Sequence, residues 1–219
     1  MSTPELTTTS YAILGLLALR SWTTYELAQQ MERALGMFWP RARSKLYEEP
    51  KKLVVAGLAK AATEHVGRRP RTVYTITAKG RRVLAAWTPT PGAGPVLEYE
   101  QLVKVFFAEH GTKQDLLATI DSARAWIEER AAETEQIPYE YLEGRGAYPE
   151  RLPWLIITGR FLDEIDRAVC RWADWATTEV ESWPEDISKA QPDWTTLEDM
   201  ASYTSELAAR ARARTPQEP

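Results

Sequence analysis

The stretch "RARSKLYEEPKKLVVAGLA", residues 41–59, determines how the N-terminal half of this chain folds. Leu46, Leu53 and Val54 recur at the spacing of one helical face, and most polar residues around them are basic. Gly57 follows the last apolar residue of that face, where a glycine commonly ends a helix. The pattern therefore predicts a cationic helix over residues 41–57.

Pro50 interrupts this pattern. A proline inside a helix removes a backbone hydrogen bond and clashes with the preceding turn. Two structures fit the residues. Either the helix kinks or breaks near residues 46–50, or it starts near Glu48 with residues 41–47 as a basic lead-in loop.

The overall composition is that of an ordinary globular protein. The chain has 219 residues, 44% hydrophobic and 26% charged, enough for one large domain or two small ones. Its one cysteine, Cys170, excludes an internal disulfide framework, and His65 and His110 lack the partners of a zinc site. The first apolar run, residues 11–19, lacks the flanks of a secretory signal and is too short to cross a membrane, which predicts a cytoplasmic protein without a membrane partner.

Charge is divided unequally along the chain. Residues 1–88 hold 14 Lys and Arg against 6 Asp and Glu, a balance of +8. Residues 89–219 hold 13 against 25, a balance of −12. This asymmetry suggests a basic half that meets a polyanion, although solvated surfaces alone could also produce it.

Turn and periodicity signals divide the chain into two sets of elements. The segment "TPTPGAGP" (88–95) is typical of a linker, since its three prolines and two glycines cannot continue a helix. Before it, the predicted elements are helices 10–20, 23–35 and 41–57, strands 58–65 and 71–77, and helix 78–87. After it, the predicted helices are 97–109, 112–137, 153–183 and 194–214. We expect a domain at 1–88, a linker at 89–95 and a second domain at 96–219.

The long C-terminal helices carry apolar stripes. Helix 112–137 has near-heptad positions at Leu116, Ile120, Ala123, Ile127 and Thr134. Helix 153–183 has one stripe from Leu155 to Trp183 and a second at Trp154, Phe161, Ala168 and Trp175. A helix that is apolar on two sides needs two neighbours, and a second subunit is a candidate for one of them.

Six of the nine tryptophans follow the linker. Phe161, Trp172 and Trp175 are candidates for a pocket that takes a small aromatic or apolar effector. A core or a subunit interface explains the same aromatic residues.

The order helix, helix, helix, basic hairpin, helix is that of a winged helix-turn-helix. Four segments carry a closer likeness: "SYAILGLLA", "TTYEL", "SKLYEEPKKLVVAGL" and "VYTITAKGRRVL". Together they resemble the PadR-like transcriptional regulators over about a third of the chain. The resemblance implies a mainly α fold, with an N-terminal winged helix-turn-helix, a two-stranded β-wing and a C-terminal α-helical dimerisation domain. Pro50 departs from the family, where many members have an apolar residue.

A helix-turn-helix reads DNA with the N-terminal part of its second helix. The candidate residues of this recognition helix are Arg41, Arg43, Ser44, Lys45 and Tyr47, with Lys51 and Lys52 placed later, toward phosphates. Arginine can form a bidentate contact with guanine, whereas lysine and serine contact bases or phosphates less selectively. Tyr47 fits either a DNA contact or the core, and the whole set also fits a solvated basic face.

Two further groups complete the predicted DNA surface. Thr23, Thr24 and Tyr25 begin helix two, whose N–H groups attract phosphate oxygens; capping by Thr23 is the simpler, compatible reading. Arg68, Arg69 and Arg71 lie on the wing, where they fit a backbone clamp or a minor-groove probe.

An enzyme is disfavoured, since neither a nucleophile–base pair nor a Gly-rich phosphate loop is recognisable. No catalytic residue, metal site or cofactor is predicted. We expect a homodimeric regulator, a repressor, that binds double-stranded DNA at a pseudo-palindromic operator and is released by a small effector. The alternative is a small-molecule-binding helical protein or a protein-interaction module without DNA binding.

Overall fold

The computed structural model describes residues 5–66 and 69–214, without the side chains of residues 66 and 69. The described part is mainly helical with one three-stranded antiparallel sheet, which confirms the predicted fold class. The chain divides into two compact units, Met1–Pro95 and Val96–Pro219.

The N-terminal unit follows the predicted order of elements. It contains α1 (Thr8–Leu19), β1 (Trp22–Thr23), α2 (Thr24–Leu35), α3 (Arg43–Val55), β2 (Ala59–Val66), β3 (Arg69–Ile76) and α4 (Ala78–Trp87). The strand β1 is a difference from the prediction. It pairs Trp22 with Tyr74 and Thr23 with Val73 at the free edge of β3, so the wing hairpin is part of a sheet of order β1-β3-β2.

Helix α3 runs through Pro50 without interruption. The predicted break near residues 46–50 and the alternative start near Glu48 are therefore both wrong, whereas the predicted kink stays a prediction. Pro50 is fully buried beside Leu46 and Leu53, so the packed face holds the helix where the proline removes a backbone hydrogen bond.

The end of α3 confirms the predicted glycine stop. Gly57 has a φ of +71°, its N–H donates to the Val54 carbonyl, and the Leu58 N–H donates to the Leu53 carbonyl. These two bonds form a Schellman motif, which satisfies carbonyls left open at the helix end. The Lys79 ammonium donates to the Ala56 carbonyl at 2.9 Å and closes the same end from α4.

The core of the N-terminal unit lies between α1, α2, α3 and the sheet. Its fully buried side chains include Ile13, Leu14, Leu17, Leu27, Met31, Leu46 and Leu53. Tyr11 of α1 stacks on Trp87 of α4, with ring centroids 4.6 Å apart. Gly80 of α4 lies so close to the Leu58 carbonyl that a Cβ would overlap with that oxygen, which explains a glycine in this helix.

In the described part of the C-terminal unit, every regular element is a helix. It contains α5 (Glu100–Phe106), α6 (Lys113–Thr134), α7 (Gln136–Leu142), α8 (Leu152–Ser182) and α9 (Trp194–Arg214), with short 3₁₀ turns between some of them. The separate helix α7 is a difference from the prediction. In α6, four of the five heptad positions are buried as predicted, and Thr134 is exposed, so its assignment to the stripe is wrong.

Helices α6 and α8 pack against each other. Leu116 and Ile120 of α6 meet Ala173, Ala176 and Val180 of α8 in the core cluster of this unit. The Lys113 ammonium donates to the carbonyls of Glu181 and Trp183 at 2.9 and 2.7 Å, which satisfies the C-terminal end of α8.

A buried carboxylate connects α3 to α1. Only 5% of Glu49 is exposed, and the described buried polar residues besides it are Thr9 and Ser10 of α1. One Glu49 oxygen accepts a hydrogen bond from the Ser10 hydroxyl and another from Thr7 Oγ1 at 3.4 Å. Its second oxygen accepts from Lys52 Nζ at 3.1 Å. The network ties the middle of α3 to the capped first turn of α1, because Thr7 and Ser10 also form the capping box of that helix.

The network keeps Glu49 charged. Burial raises the pKa of its carboxyl, but the hydrogen bonds from Ser10 and Lys52 and the charge of Lys52 outweigh burial and leave the pKa below its ordinary value. Because the folded-state pKa is depressed, the stabilisation is present above the ordinary pKa and is lost as the pH falls through the folded-state value.

We expect Glu49→Ala to lower the free energy of unfolding by about 2 kcal/mol at neutral pH, since it leaves the Ser10 hydroxyl buried without its acceptor. Urea unfolding followed by circular dichroism measures the loss. The difference in the free energy of unfolding between Glu49→Ala and the unsubstituted protein should become smaller as the pH falls below the ordinary glutamate pKa of 4.5. Glu48→Ala, an exposed neighbour on the same helix, is the matched control and should leave the midpoint unchanged. Equal effects of both substitutions would contradict the role of the buried network.

Candidate nucleic-acid interface

The exposed face of α3 carries most of the predicted recognition residues. Ser44, Lys45, Lys51 and Lys52 are all exposed there. Lys51 pairs with Glu48 at 2.9 Å, and Lys52 pairs with Glu49 at 3.1 Å. The arrangement is a cationic surface whose charge is partly balanced by carboxylates of the same helix.

The start of α3 is held by α2. Arg43 is the first residue of α3, and its guanidinium makes two hydrogen bonds to Glu32 of α2, Nε to Oε1 at 2.7 Å and Nη2 to Oε2 at 2.8 Å. These hydrogen bonds lower the pKa of Glu32 and raise that of Arg43, so both groups stay charged.

Arg41 lies before the helix, in the loop from α2 to α3. The prediction that Arg41 lies within the recognition helix is therefore wrong. Its guanidinium carbon is 4.0 Å from the centroid of the Trp39 ring, and its Nη1 donates to the Pro40 carbonyl at 2.6 Å. Trp39 Nε1 in turn donates to Thr9 Oγ1 at 3.1 Å, which fixes the loop on α1.

Tyr47 is half-buried in α3, so its position fits both of the roles left open for it.

At the start of α2, Thr23 is the N-cap as predicted: its Oγ1 accepts from the Glu26 N–H, and Glu26 Oε2 accepts from the Thr23 N–H at 2.8 Å. That backbone hydrogen bond lowers the pKa of Glu26. A carboxylate thus already lies at this helix end, with Thr24 half-buried and Tyr25 exposed beside it.

The wing lies on the β2–β3 hairpin. Its register pairs Glu64 with Arg71, and Arg71 Nη2 lies 3.1 Å from Glu64 Oε2. Arg69 begins β3, with its side chain outside the described part, and Arg68 lies outside the described residues. The wing roles of the three arginines remain a prediction.

The three effector-pocket candidates lie on α8. Trp172 is half-buried against the α6–α8 core, whereas Phe161 and Trp175 are 57% and 46% exposed. Fourteen residues of helix separate Phe161 from Trp175, a rise of about 21 Å. A cavity of about 370 Å³ in this unit is lined by α5, α6 and the turn between them, from Val103 to Thr119, and by none of these three side chains. The pocket also remains a prediction.

Four residues that sequence reasoning did not single out shape this surface: Glu32, Trp39, Glu48 and Glu49. The position of Glu49 could be recognised from the sequence, because helical spacing places it on the same face of α3 as Leu46, Pro50 and Leu53. The Glu32–Arg43 contact spans two helices, so helical spacing within either one gives no sign of it.

Within residues 5–66 and 69–214, no cluster of histidine, cysteine and acidic side chains has the arrangement of a metal site. The same part of the chain has no helix with the length and apolarity to cross a bilayer.

Two family models match the chain in succession. Residues 13–86 match the transcriptional regulator PadR-like family, and residues 99–181 match the C-terminal region of virulence activator alpha. The probable transcriptional regulator Rv1176c of Mycobacterium tuberculosis is 31% identical over 127 residues, which cover 52% of this chain and 67% of that protein. The negative transcriptional regulator PadR of Bacillus subtilis is 30% identical over 110 residues, or 48% of this chain and 59% of that protein.

Solved structures of Bacillus subtilis PadR share the fold. The complex with operator DNA has a TM-score of 0.68 at 21% identity and covers 80% of this chain and 99% of that one. The complex with p-coumaric acid has a TM-score of 0.61 at 22% identity, covering 79% and 98%. The element order, the basic third helix with its wing and these matches lead to one conclusion: the chain belongs to the PadR-like family of transcriptional regulators.

Proposed function

We propose that this protein is a DNA-binding transcriptional regulator, a repressor that binds a pseudo-palindromic operator as a homodimer. The observation that carries the proposal is the cationic α3 face, presented by a winged helix-turn-helix and anchored to α1 through Glu49. The name of the Bacillus subtilis relative, a negative regulator, supports repression, and the solved complex of that relative with operator DNA supports the DNA partner.

The proposed contacts follow from position on the helix. Arg43, Ser44 and Lys45 occupy the first turn of α3, the part that a helix-turn-helix directs at base edges. Lys51 and Lys52 lie two turns later and are assigned to phosphates, which any sequence offers. The wing arginines and the exposed Tyr25 at the start of α2 would add further phosphate contacts. A module used for protein contacts alone has no need for this concentration of exposed cations.

We assign residues 1–88 to DNA binding, 89–95 to the linker and 96–219 to dimerisation. The apolar surface of the last two long helices supports the third assignment. In the N-terminal half of α8, Trp154, Ile157 and Phe161 are each more than half exposed. In α9, no described residue is buried.

The exposed apolar residues of α9 form one face. They are Trp194, Leu197, Met200, Tyr203 and Leu207, all at least 44% exposed. They recur every three to four residues, and Glu198, Ser202 and Ser205 occupy the opposite side. Contiguous apolar surface of this extent marks an interface, and a second copy of the same helices would cover it by two-fold symmetry.

We further propose that a small aromatic ligand bound in the C-terminal domain releases the DNA. The relative solved with p-coumaric acid supports this chemistry, as do the exposed aromatic rings of Phe161 and Trp175. Such a ligand would act by favouring one spacing of the two DNA-binding units over another.

DNA binding is tested by fluorescence anisotropy with the duplex upstream of the protein's own gene, over a series of salt concentrations. We expect affinity to fall steeply as salt rises, because each neutralised phosphate releases counterions. Lys45→Ala should reduce binding to this duplex more than to a scrambled one, and Arg71→Ala should weaken both alike. Affinity that is independent of salt would contradict DNA binding as the function.

The dimer is tested by light scattering after chromatography. We expect the mass of two chains for the unsubstituted protein and of one chain for Met200→Arg, since a charge in the centre of the α9 apolar face opposes its burial. Ser202→Arg introduces the same charge on the polar face and should leave the dimer intact. A monomeric unsubstituted protein would exclude the two-fold model.

Release is tested by adding p-coumaric acid to the DNA complex in the anisotropy assay. We expect release from the unsubstituted protein and a weaker response from Trp175→Ala. Trp126→Ala removes a similarly exposed ring from α6 and should respond like the unsubstituted protein. A complex that stays intact at saturating p-coumaric acid would contradict release by this ligand.

A further inference from the structure

We propose that Glu32 is a specificity-determining residue of the DNA-binding surface, because it orients the Arg43 guanidinium toward a base edge and reduces its attraction to phosphates. The inference rests on the proposed DNA-binding function. It assigns a role to an acidic residue outside α3.

The contact with Glu32 leaves the Nη1–Nη2 edge of the Arg43 guanidinium available for a base. Glu32 occupies the side of the guanidinium, with Nε donating to Oε1 and Nη2 to Oε2. A guanidinium has five N–H groups, and these two bonds use one on Nε and one on Nη2. In the planar group, the other Nη2 hydrogen and one Nη1 hydrogen are parallel and point away from Nε, and 64% of the Arg43 side chain is exposed. That pair matches the O6 and N7 acceptors of guanine, so Arg43 can hold Glu32 and a guanine at the same time.

The position of Glu32 on α2 makes this contact an orienting one. The pair Lys51–Glu48 joins residues three apart on one helix and fixes neither relative to another element. Glu32, by contrast, links the first residue of α3 to the body of the domain, which restricts a long side chain before DNA arrives. An arginine that is already ordered loses less conformational freedom when it binds.

The same carboxylate opposes binding to phosphates. Non-specific affinity depends on how many cations neutralise the DNA backbone, and an arginine paired with a carboxylate contributes little net charge. Glu32 therefore acts in opposite directions on two kinds of binding. It favours a contact that needs a defined orientation and disfavours one that needs only positive charge.

Arg41 is ordered at the same end of α3 by different groups. Its guanidinium stacks on Trp39, and Trp39 is held by the Thr9 hydroxyl. Arg41, in the loop before α3, is thus held by a tryptophan that α1 fixes, and Arg43, the first residue of α3, is held from α2. Lys45, two residues after Arg43 in α3, is exposed.

The test compares two duplexes of equal length and composition: one selected by the unsubstituted protein from random DNA, and a scrambled version. For Glu32→Ala we expect affinity for the selected duplex to fall roughly fivefold to tenfold, part of the discrimination that one bidentate base contact supplies. Affinity for the scrambled duplex should rise, and the slope of log K against log salt should steepen by about 0.9, one further phosphate contact. Because Glu32 and Arg43 are both exposed, thermal unfolding should be unchanged.

Two controls separate orientation from charge. Glu48→Ala removes the same charge from the DNA-facing helix and should strengthen binding to both duplexes by a similar factor. In an Arg43→Ala background, Glu32→Ala should cause no further loss on the selected duplex. The inference is overturned if Glu32→Ala increases the affinity for both duplexes equally. It is also overturned if Glu32→Ala lowers the affinity for the selected duplex by the same factor in the Arg43→Ala background. An unsubstituted protein that selects no duplex from random DNA would overturn the proposed function itself. If the unsubstituted protein selects a duplex, but Glu32→Ala leaves the ratio of the affinities for the selected and scrambled duplexes unchanged, only this inference is overturned.

Discussion

The buried Glu49 carboxylate is the interaction on which the DNA-binding unit depends. A charged group out of water is tolerated only when it is paired and hydrogen-bonded, and Glu49 meets that condition through Ser10, Thr7 and Lys52. Those partners place the middle of α3 against the first turn of α1. The neighbouring Pro50 weakens the backbone of α3 at the same point, so side-chain contacts of this face have to hold the helix.

The first turn of α1 holds two parts of the surface that we assign to DNA, the middle of α3 and the loop before it. Ser10 holds Glu49 in α3, and Thr9 holds Trp39 in the preceding loop. Arg41 stacks on that tryptophan, and Arg43 is held from α2 by Glu32. A base edge is recognised by donors in defined positions, whereas a phosphate accepts a cation from many directions. Fixed arginines at the start of α3 therefore suit a protein that distinguishes one DNA sequence from another.

Much of the fold could be predicted from the sequence because its signals are local. The Thr23 cap, the Gly57 stop and the heptad positions of α6 depend on residues a few positions apart. The errors concern tertiary contacts. The pattern around Pro50 predicts a kink or break in α3 or a later start of the helix, but burial of the proline ring and the Glu49 network keep the helix continuous. The pairing of β1 with β3 and of Glu32 with Arg43 joins segments that no periodicity relates. For the candidate site, sequence patterns therefore identified the cations of α3 and missed the carboxylates and tryptophan that orient them.

We propose that the first turn of α3, in two symmetry-related copies, contacts the bases of the operator. Selection of binding sites from random DNA by the unsubstituted protein and by Arg43→Ala tests it most directly. We expect a two-fold symmetric motif from the unsubstituted protein, with half-sites about one helical turn or a multiple apart. We expect Arg43→Ala to lose base preference at one position in each half-site and to keep the preference at the others. An unchanged motif bound with uniformly lower affinity would contradict base reading by Arg43 and reduce the start of α3 to a backbone contact.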